Sequence, residues 1–128
     1  MGDLSEHFDS SEFHCHHCDE LPKGGISPKL AQRLEALREA LGGRPVVIAS
    51  GYRCPEYNAQ LRAQGVAAAR RSQHLYGRAA DTRVPGVSPA AVADAAERVF
   101  GFVSGIGRYG SFTHVDVRSW HARWGTRA

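Results

Sequence analysis

The 128-residue sequence lacks any long apolar run, any internal repeat and any low-complexity segment. No stretch approaches the roughly 20 consecutive apolar residues of a transmembrane helix, which argues against a membrane protein. No apolar region follows the first five residues, so we expect no signal peptide. Lysine and arginine exceed the acidic residues by 16 to 13, but they are scattered rather than gathered in a stripe. This distribution argues against nucleic-acid binding.

The length and composition predict one compact domain. A content of 42% hydrophobic residues argues against disorder, and 128 residues can bury a single core without room for a second module. We therefore expect residues 1–128 to form one domain, with an irregular amino-terminal segment over residues 1–26. We expect this domain to be a monomer.

Proline, serine and glycine mark the boundaries of the predicted elements. Ser27-Pro28 and Ser88-Pro89 each place a capping serine before a proline at the first helical position. Helices are predicted over 28–41, 55–64 and 89–99, and strands over 44–50, 79–84, 104–109 and 112–118. The strand over 44–50 is expected to be buried, and the last two strands are expected to form a hairpin. This order predicts an α+β fold: a small antiparallel sheet with helices packed on one side.

Two segments offer metal-binding side chains. His74 and Asp81 are separated by a glycine turn at Gly77, and His114 follows on an alternating segment. Two imidazoles and one carboxylate suit Zn²⁺ with a fourth position left open for water. Each residue alone has a simpler explanation, either a hydrogen-bonded structural histidine or a surface carboxylate. The combination favours a metal, because such groups beside small apolar residues need a compensating charge.

The pattern His-x-x-Gly-x-Ala-x-Asp at residues 74–81 is one that we recognise. It resembles the zinc signature of the D-alanyl-D-alanine carboxypeptidases and related phage endolysins, within the lysostaphin–carboxypeptidase–hedgehog group of metallopeptidases. Three further blocks agree in order: 7–15, 46–58 with Ser-Gly-Tyr-Arg, and 112–118 with Phe-Thr-His-Val-Asp-Val-Arg. The block at residues 7–15 resembles the amino-terminal segment of a small peptidase subgroup that is common in phage and prophage genomes.

The resemblance implies a hedgehog/D-Ala-D-Ala metallopeptidase-like fold, with His74, Asp81 and His114 as ligands of one catalytic Zn²⁺. It also implies hydrolysis of peptide bonds in peptidoglycan stem peptides or cross-links, by a carboxypeptidase or an endopeptidase. The alternatives are a catalytically silent, zinc-containing module that binds the cell wall, and a metal-sensing regulatory domain. We expect peptidoglycan peptides as the partner, with no nucleic acid and no membrane. We expect synthesis in the cytoplasm and action at the cell wall or periplasm, after release by a phage-type route or after removal of a leader.

The position of the catalytic acid or base is where the sequence departs from the family. Many relatives place a proton carrier two or three residues before the last histidine ligand, where this chain has Phe112 and Ser111. Asp116 is the nearest replacement, either as a general base or as an acceptor that orients an imidazole. His121 is a third candidate.

Three residues are predicted to bind substrate. Arg53 follows a strand and a glycine turn, and its guanidinium can hold a carboxylate bidentately and assist catalysis. The alternative for Arg53 is an internal ion pair with Asp81 or Asp116. Ser72 is either a hydrogen-bond donor to substrate or the cap of the His74 turn. Tyr52 is assigned to substrate binding from the same Ser-Gly-Tyr-Arg block.

The three cysteines allow several interpretations: a metal site, a disulfide, or packing of reduced thiols. Cys15 and Cys18 form a Cys-x-x-Cys pair beside three histidines, and with Cys54 they offer thiolates for a second, structural metal. A disulfide to Cys54 or plain packing of reduced cysteines is the alternative. We favour packing or a disulfide, because no strong fourth ligand is evident in the sequence.

Overall fold

The computed structural model describes residues 2–65 and 72–125. The predicted loop through Arg70 and Arg71 lies outside these residues. The helices are α1 (Pro28–Ala40), α2 (Pro55–Ala63) and α3 (Pro89–Phe100), with 3₁₀ turns at Ser10–Phe13 and Gln73–Tyr76. The strands are β1 (Val47–Ser50), β2 (Ala79–Arg83), β3 (Gly105–Arg108), β4 (Thr113–Asp116) and β5 (Ala122–Gly125).

The predicted helix starts are confirmed. The Ser27 and Ser88 side chains accept hydrogen bonds from the backbone N–H groups of Leu30 and Ala91, and a proline follows each serine. These caps satisfy backbone donors that have no partner inside the helix. In the described part of the chain, no helix has the length and apolarity needed to cross a membrane.

The strands form one sheet in the order β1-β2-β4-β3-β5. All neighbours are antiparallel except β3 and β5, which run parallel. The predicted α+β class and the hairpin of β3 and β4 are confirmed. The predicted buried strand over 44–50 is corrected: β1 is short and lies at the sheet edge, with Val47 45% exposed. Strand β5 was not predicted.

The two faces of the sheet differ in chemistry. Ala80 of β2 and Val115 of β4 are fully buried, on the face against which α3 packs, and α1 packs against α3. Side chains alternate along a strand, so Asp81 and His114 lie on the opposite face. Helix α2 lies on that side, where its residues Tyr57 and Leu61 line a cleft. The core therefore supports one face of the sheet and leaves the other for a site.

The amino-terminal segment is part of the core rather than a tail. Phe8 and Phe13 are 1% and 0% exposed and belong to the hydrophobic cluster. The Phe13 carbonyl accepts a hydrogen bond from the Tyr52 N–H at 2.8 Å. A side chain at Gly51 would collide with the Phe13 backbone. The segment is thereby held against the turn that follows β1.

Candidate metal centre and cleft

Three elements bring His74, Asp81 and His114 together. His74 lies in the 3₁₀ turn that Gly77 ends with a φ of 67°. Asp81 of β2 is the direct cross-strand partner of His114 on β4. The His74 and His114 rings meet edge to face with their centroids 5.0 Å apart. All three residues are buried.

The hydrogen bonds of His74 leave a lone pair facing Asp81. Its Nδ1 is 2.6 Å from the Gly51 carbonyl oxygen, which can only accept, so this nitrogen carries the proton. A neutral imidazole has a single N–H. The Nε2 atom, 3.2 Å from Asp81 Oδ1, is therefore unprotonated in neutral His74.

His114 is arranged in the same way with its nitrogens reversed. Its Nε2 donates to Asp116 Oδ2 at 2.7 Å, and its Nδ1 lies 3.1 Å from Asp81 Oδ1. Two nitrogen lone pairs and one carboxylate oxygen thus converge. At these distances the three groups repel one another unless a cation lies between them. Donors about 2.0–2.1 Å from a tetrahedral Zn²⁺ lie about 3.3 Å apart, close to the observed spacing. The donor set fits a zinc ion.

The electrostatics of the site also favour a cation. Burial alone would raise the pKa of Asp81, but the two histidines that face it, His114 and His74, hold that pKa well below its ordinary value. Burial works against a charged His114, yet the neighbouring carboxylates of Asp116 and Asp81 raise its pKa, so this position favours positive charge. Burial lowers the pKa of His74, which keeps that imidazole neutral and available as a ligand.

Asp116 lies behind His114 rather than in the cleft. It is completely buried, and its oxygens also accept hydrogen bonds from Arg118 Nε at 2.9 Å and Nη2 at 2.6 Å. A side chain at Gly105 would collide with this carboxylate. The position is that of a group that orients an imidazole ligand. The arrangement does not bring Asp116 to the cleft wall, where a general base for substrate would stand.

Arg53 joins the site through its backbone and its side chain. Its N–H donates to the His74 carbonyl at 3.1 Å, and its Nη2 pairs with Asp81 Oδ2 at 3.2 Å. The residue is 8% exposed, and its buried Nε has no hydrogen-bond partner among the described residues. The predicted ion pair with Asp81 is present, and the guanidinium retains donors for a further acceptor that enters the cleft.

The metal centre lies on the wall of a cleft of about 790 Å³. Trp124 of β5 forms part of this wall, 4.9 Å from the His114 ring between centroids, and donates its Nε1–H to the Tyr109 hydroxyl at 2.7 Å. Trp120 and His16 also line the cleft. Tyr109, Trp124, Trp120 and His16 are cleft residues that no motif in the sequence predicts.

The other predicted site residues take different positions. Ser72 lines the cleft, and its hydroxyl also caps the His74 turn by accepting the His74 N–H at 3.2 Å. Tyr52 packs against the hydrophobic core and does not line the cleft. His121 also lies away from the cleft, stacked on Phe102 with its Nδ1 2.7 Å from the Phe102 carbonyl oxygen. Of the predicted site residues, Tyr52 and His121 therefore lie outside the lining of this cleft.

Known proteins are similar to this chain in fold and in sequence. The L-Ala D-Glu endopeptidase ChiX of Serratia marcescens superposes with a TM-score of 0.57 at 22% identity, over 73% of this chain and 81% of that one. The peptidoglycan L,D-endopeptidase MepK of Escherichia coli K12 is 35% identical over 95 residues, 72% of this chain. The probable MepK of Haemophilus influenzae is 34% identical over 102 residues, 74% of this chain. The chain spans about half the length of these curated relatives, 51% and 54%.

The match to a family model is broader than the match to any of these relatives. It runs over residues 6–116, which include all three candidate ligands and Asp116. The chain belongs to the peptidase M15 family.

Proposed function

We propose that this chain hydrolyses peptide bonds in peptidoglycan, with Zn²⁺ held by His74, Asp81 and His114. The observation that carries the proposal is the convergence of two imidazole lone pairs and a carboxylate at the wall of a cleft. Membership of the peptidase M15 family and the MepK relatives support it. When bound, zinc supplies a Lewis acid that polarises a carbonyl and lowers the pKa of water.

The chain's own residues orient the metal ligands and the substrate. The Gly51 carbonyl and the Asp116 carboxylate each hold one imidazole, which fixes the ring nitrogen that faces Asp81. Arg53, with donors still unpaired, is placed to bind a substrate carboxylate bidentately. Stem peptides carry such carboxylates. Trp120 and Trp124 line the cleft and offer the peptide an aromatic wall.

Among the two activities expected from the sequence, we propose endopeptidase rather than carboxypeptidase action. The support is the MepK relatives, whose names describe L,D-endopeptidases of peptidoglycan. The reaction would take place at the cell wall, where this substrate is found. Release of the chain by a phage-type route and a monomeric state remain part of this proposal.

A silent module that binds the wall is the second candidate. It is favoured by one observation: in the described part of the chain, Asp81 is the only carboxylate that lines the cleft. The titratable side chains left there to carry protons, besides the ligands and arginines, are His16, Tyr57 and Tyr109. A binding module would keep zinc and peptidoglycan affinity without turnover.

Digestion of purified peptidoglycan, followed by mass spectrometry of the soluble products, decides between these candidates. An endopeptidase releases peptides cut inside the stem or cross-link, whereas a carboxypeptidase releases only free D-alanine. Asp81→Asn should abolish release, and Asp94→Asn, at an exposed position on α3, should leave it unchanged. If the zinc-loaded protein sediments with peptidoglycan but yields no product, the silent module is the correct function.

A further inference from the structure

All three cysteines of the chain meet at one point outside the cleft. Cys15 and Cys18 come from the amino-terminal segment, and Cys54 comes from the turn before α2. Their sulfur atoms lie within 4.8 Å of one another, and all three are free thiols. Cys15 is completely buried and the other two are partly buried. None of them lines the cleft.

Backbone N–H groups point at these sulfurs. Cys15 Sγ lies 3.4 Å from the backbone nitrogens of His17 and Cys54, and Cys54 Sγ lies 3.4 Å from that of Tyr57 in the first turn of α2. Such donors, and the amino-terminal end of a helix, stabilise the thiolate form of cysteine. Thiolates crowded together repel unless a cation neutralises them.

We propose that Cys15, Cys18 and Cys54 bind a second Zn²⁺ ion with a structural role. Thiolates are soft ligands, and Cys-x-x-Cys joined by a distant third cysteine is a common zinc framework. Sulfurs bound about 2.3 Å from a tetrahedral zinc lie about 3.8 Å apart, and the three sulfurs here lie within 4.8 Å of one another. No fourth His, Cys, Asp or Glu of the described residues joins the cluster, so a water molecule would have to complete the tetrahedron.

The location of this cluster indicates which parts of the fold a bound ion would hold together. The turn that carries Cys54 also carries the Gly51 carbonyl that holds His74 and the guanidinium of Arg53. The loop between Cys15 and Cys18 carries His16 to the cleft. A bound ion therefore ties the amino-terminal segment to the turn that supports the His/Asp/His centre, and its loss loosens both the cleft and the fold.

Metal counting on purified, reduced protein tests this site without measuring hydrolysis. Plasma emission should give two zinc ions per chain in the wild type and one in both Cys18→Ser and His114→Ala. Cys18 is chosen because it is partly exposed, whereas a change at the buried Cys15 risks misfolding. Cobalt exchange adds a signature of sulfur ligands, because only thiolates give intense charge-transfer absorption in the near ultraviolet. That absorption should persist in His114→Ala and vanish in Cys18→Ser.

Three results would overturn the proposal. The first is a single zinc in the wild type that His114→Ala removes. The second is a cobalt protein without thiolate charge-transfer absorption. The third is a disulfide among the three cysteines in protein purified with reductant, seen by mass spectrometry as the loss of two hydrogens. A failure of peptidoglycan digestion affects none of these readouts, so the two proposals stand or fall separately.

Discussion

At the scale of single residues, Asp116 decides how well His114 can act as a ligand. Its carboxylate accepts from His114 Nε2 and is itself fixed by Arg118. Asp116→Asn removes the charge that supports the imidazole and should weaken zinc affinity by roughly 10- to 100-fold. Activity measured against added Zn²⁺ should then return to the wild-type level.

A general-base role for Asp116 predicts a different response of the activity to added zinc. If Asp116 is the general base, the rate should fall by about 10²–10⁴-fold and added zinc should not restore it. Asp94→Asn is the matched control, because Asp94 is an exposed carboxylate on α3. Near-normal activity of Asp116→Asn without added zinc would contradict both roles.

A substitution at Arg53 tests whether its guanidinium binds a substrate carboxylate. Arg53→Lys keeps a positive charge near Asp81 but loses the planar fork that can hold a carboxylate with two bonds. We expect kcat/KM on stem peptides to fall about 10- to 100-fold, the size of one or two charge-assisted hydrogen bonds, while bound zinc stays unchanged. Arg83→Lys, an exposed arginine on the same cleft, should have little effect. Unchanged kcat/KM in Arg53→Lys would leave only the internal ion pair as the role of Arg53.

At the scale of elements, β5 and the glycines of β3 shape the cleft wall. A Cβ atom at Gly107 would lie 2.6 Å from the Trp124 indole, which packs against His114. Gly107→Ala should therefore displace Trp124 and lower stability by about 1–3 kcal/mol, the usual cost of overpacking. Gly110→Ala is the control, because its Cβ would meet no atom within 4 Å. Denaturant unfolding of both variants, with tryptophan fluorescence as the probe, measures the difference; equal midpoints would show that Trp124 does not pack as described.

The elements that the sequence predicts are those with strong local signals. Ser27-Pro28 and Ser88-Pro89 mark helix starts through caps and a fixed φ, and alternation places His114 and Val115 on opposite faces. Strand β5 has no such local signal. It is fixed by its parallel pairing with β3, a contact between residues distant in sequence that local patterns do not reveal. Gly105 and Gly107 leave room in β3 for the Asp116 carboxylate and the Trp124 indole, which the strand prediction over 104–109 did not include.

At the scale of the whole molecule, the site depends on segments far apart in sequence. The candidate ligands come from the 3₁₀ turn, β2 and β4, and the groups that support them come from the Gly51 turn and Arg118. The sequence predicts His74, Asp81 and His114 as ligands, and the structure brings these three side chains together. The sequence could not identify the wall formed by His16, Tyr109 and Trp124, because those residues meet only after the sheet is assembled.

The amino-terminal segment is a further long-range support. Glu35 of α1 accepts hydrogen bonds at 2.6 Å from both the Ser5 hydroxyl and the His7 N–H. Glu35→Ala leaves those groups without their acceptor and should lower the free energy of unfolding by about 1–3 kcal/mol. Glu39→Ala, exposed on the same helix, should change it little. Thermal unfolding compares the two, and equal stability would show that the hydrogen bonds to Glu35 do not help to hold the segment.

The central claim is that His74, Asp81 and His114 hold the zinc on which peptidoglycan hydrolysis depends. The most direct measurement is peptide release from purified peptidoglycan by metal-stripped protein as Zn²⁺ is added back. We predict no release before zinc, full recovery in the wild type and in Asp94→Asn, and no recovery in Asp81→Asn at any zinc concentration. Full-rate release by the metal-stripped wild type, or wild-type release by Asp81→Asn, would contradict the account.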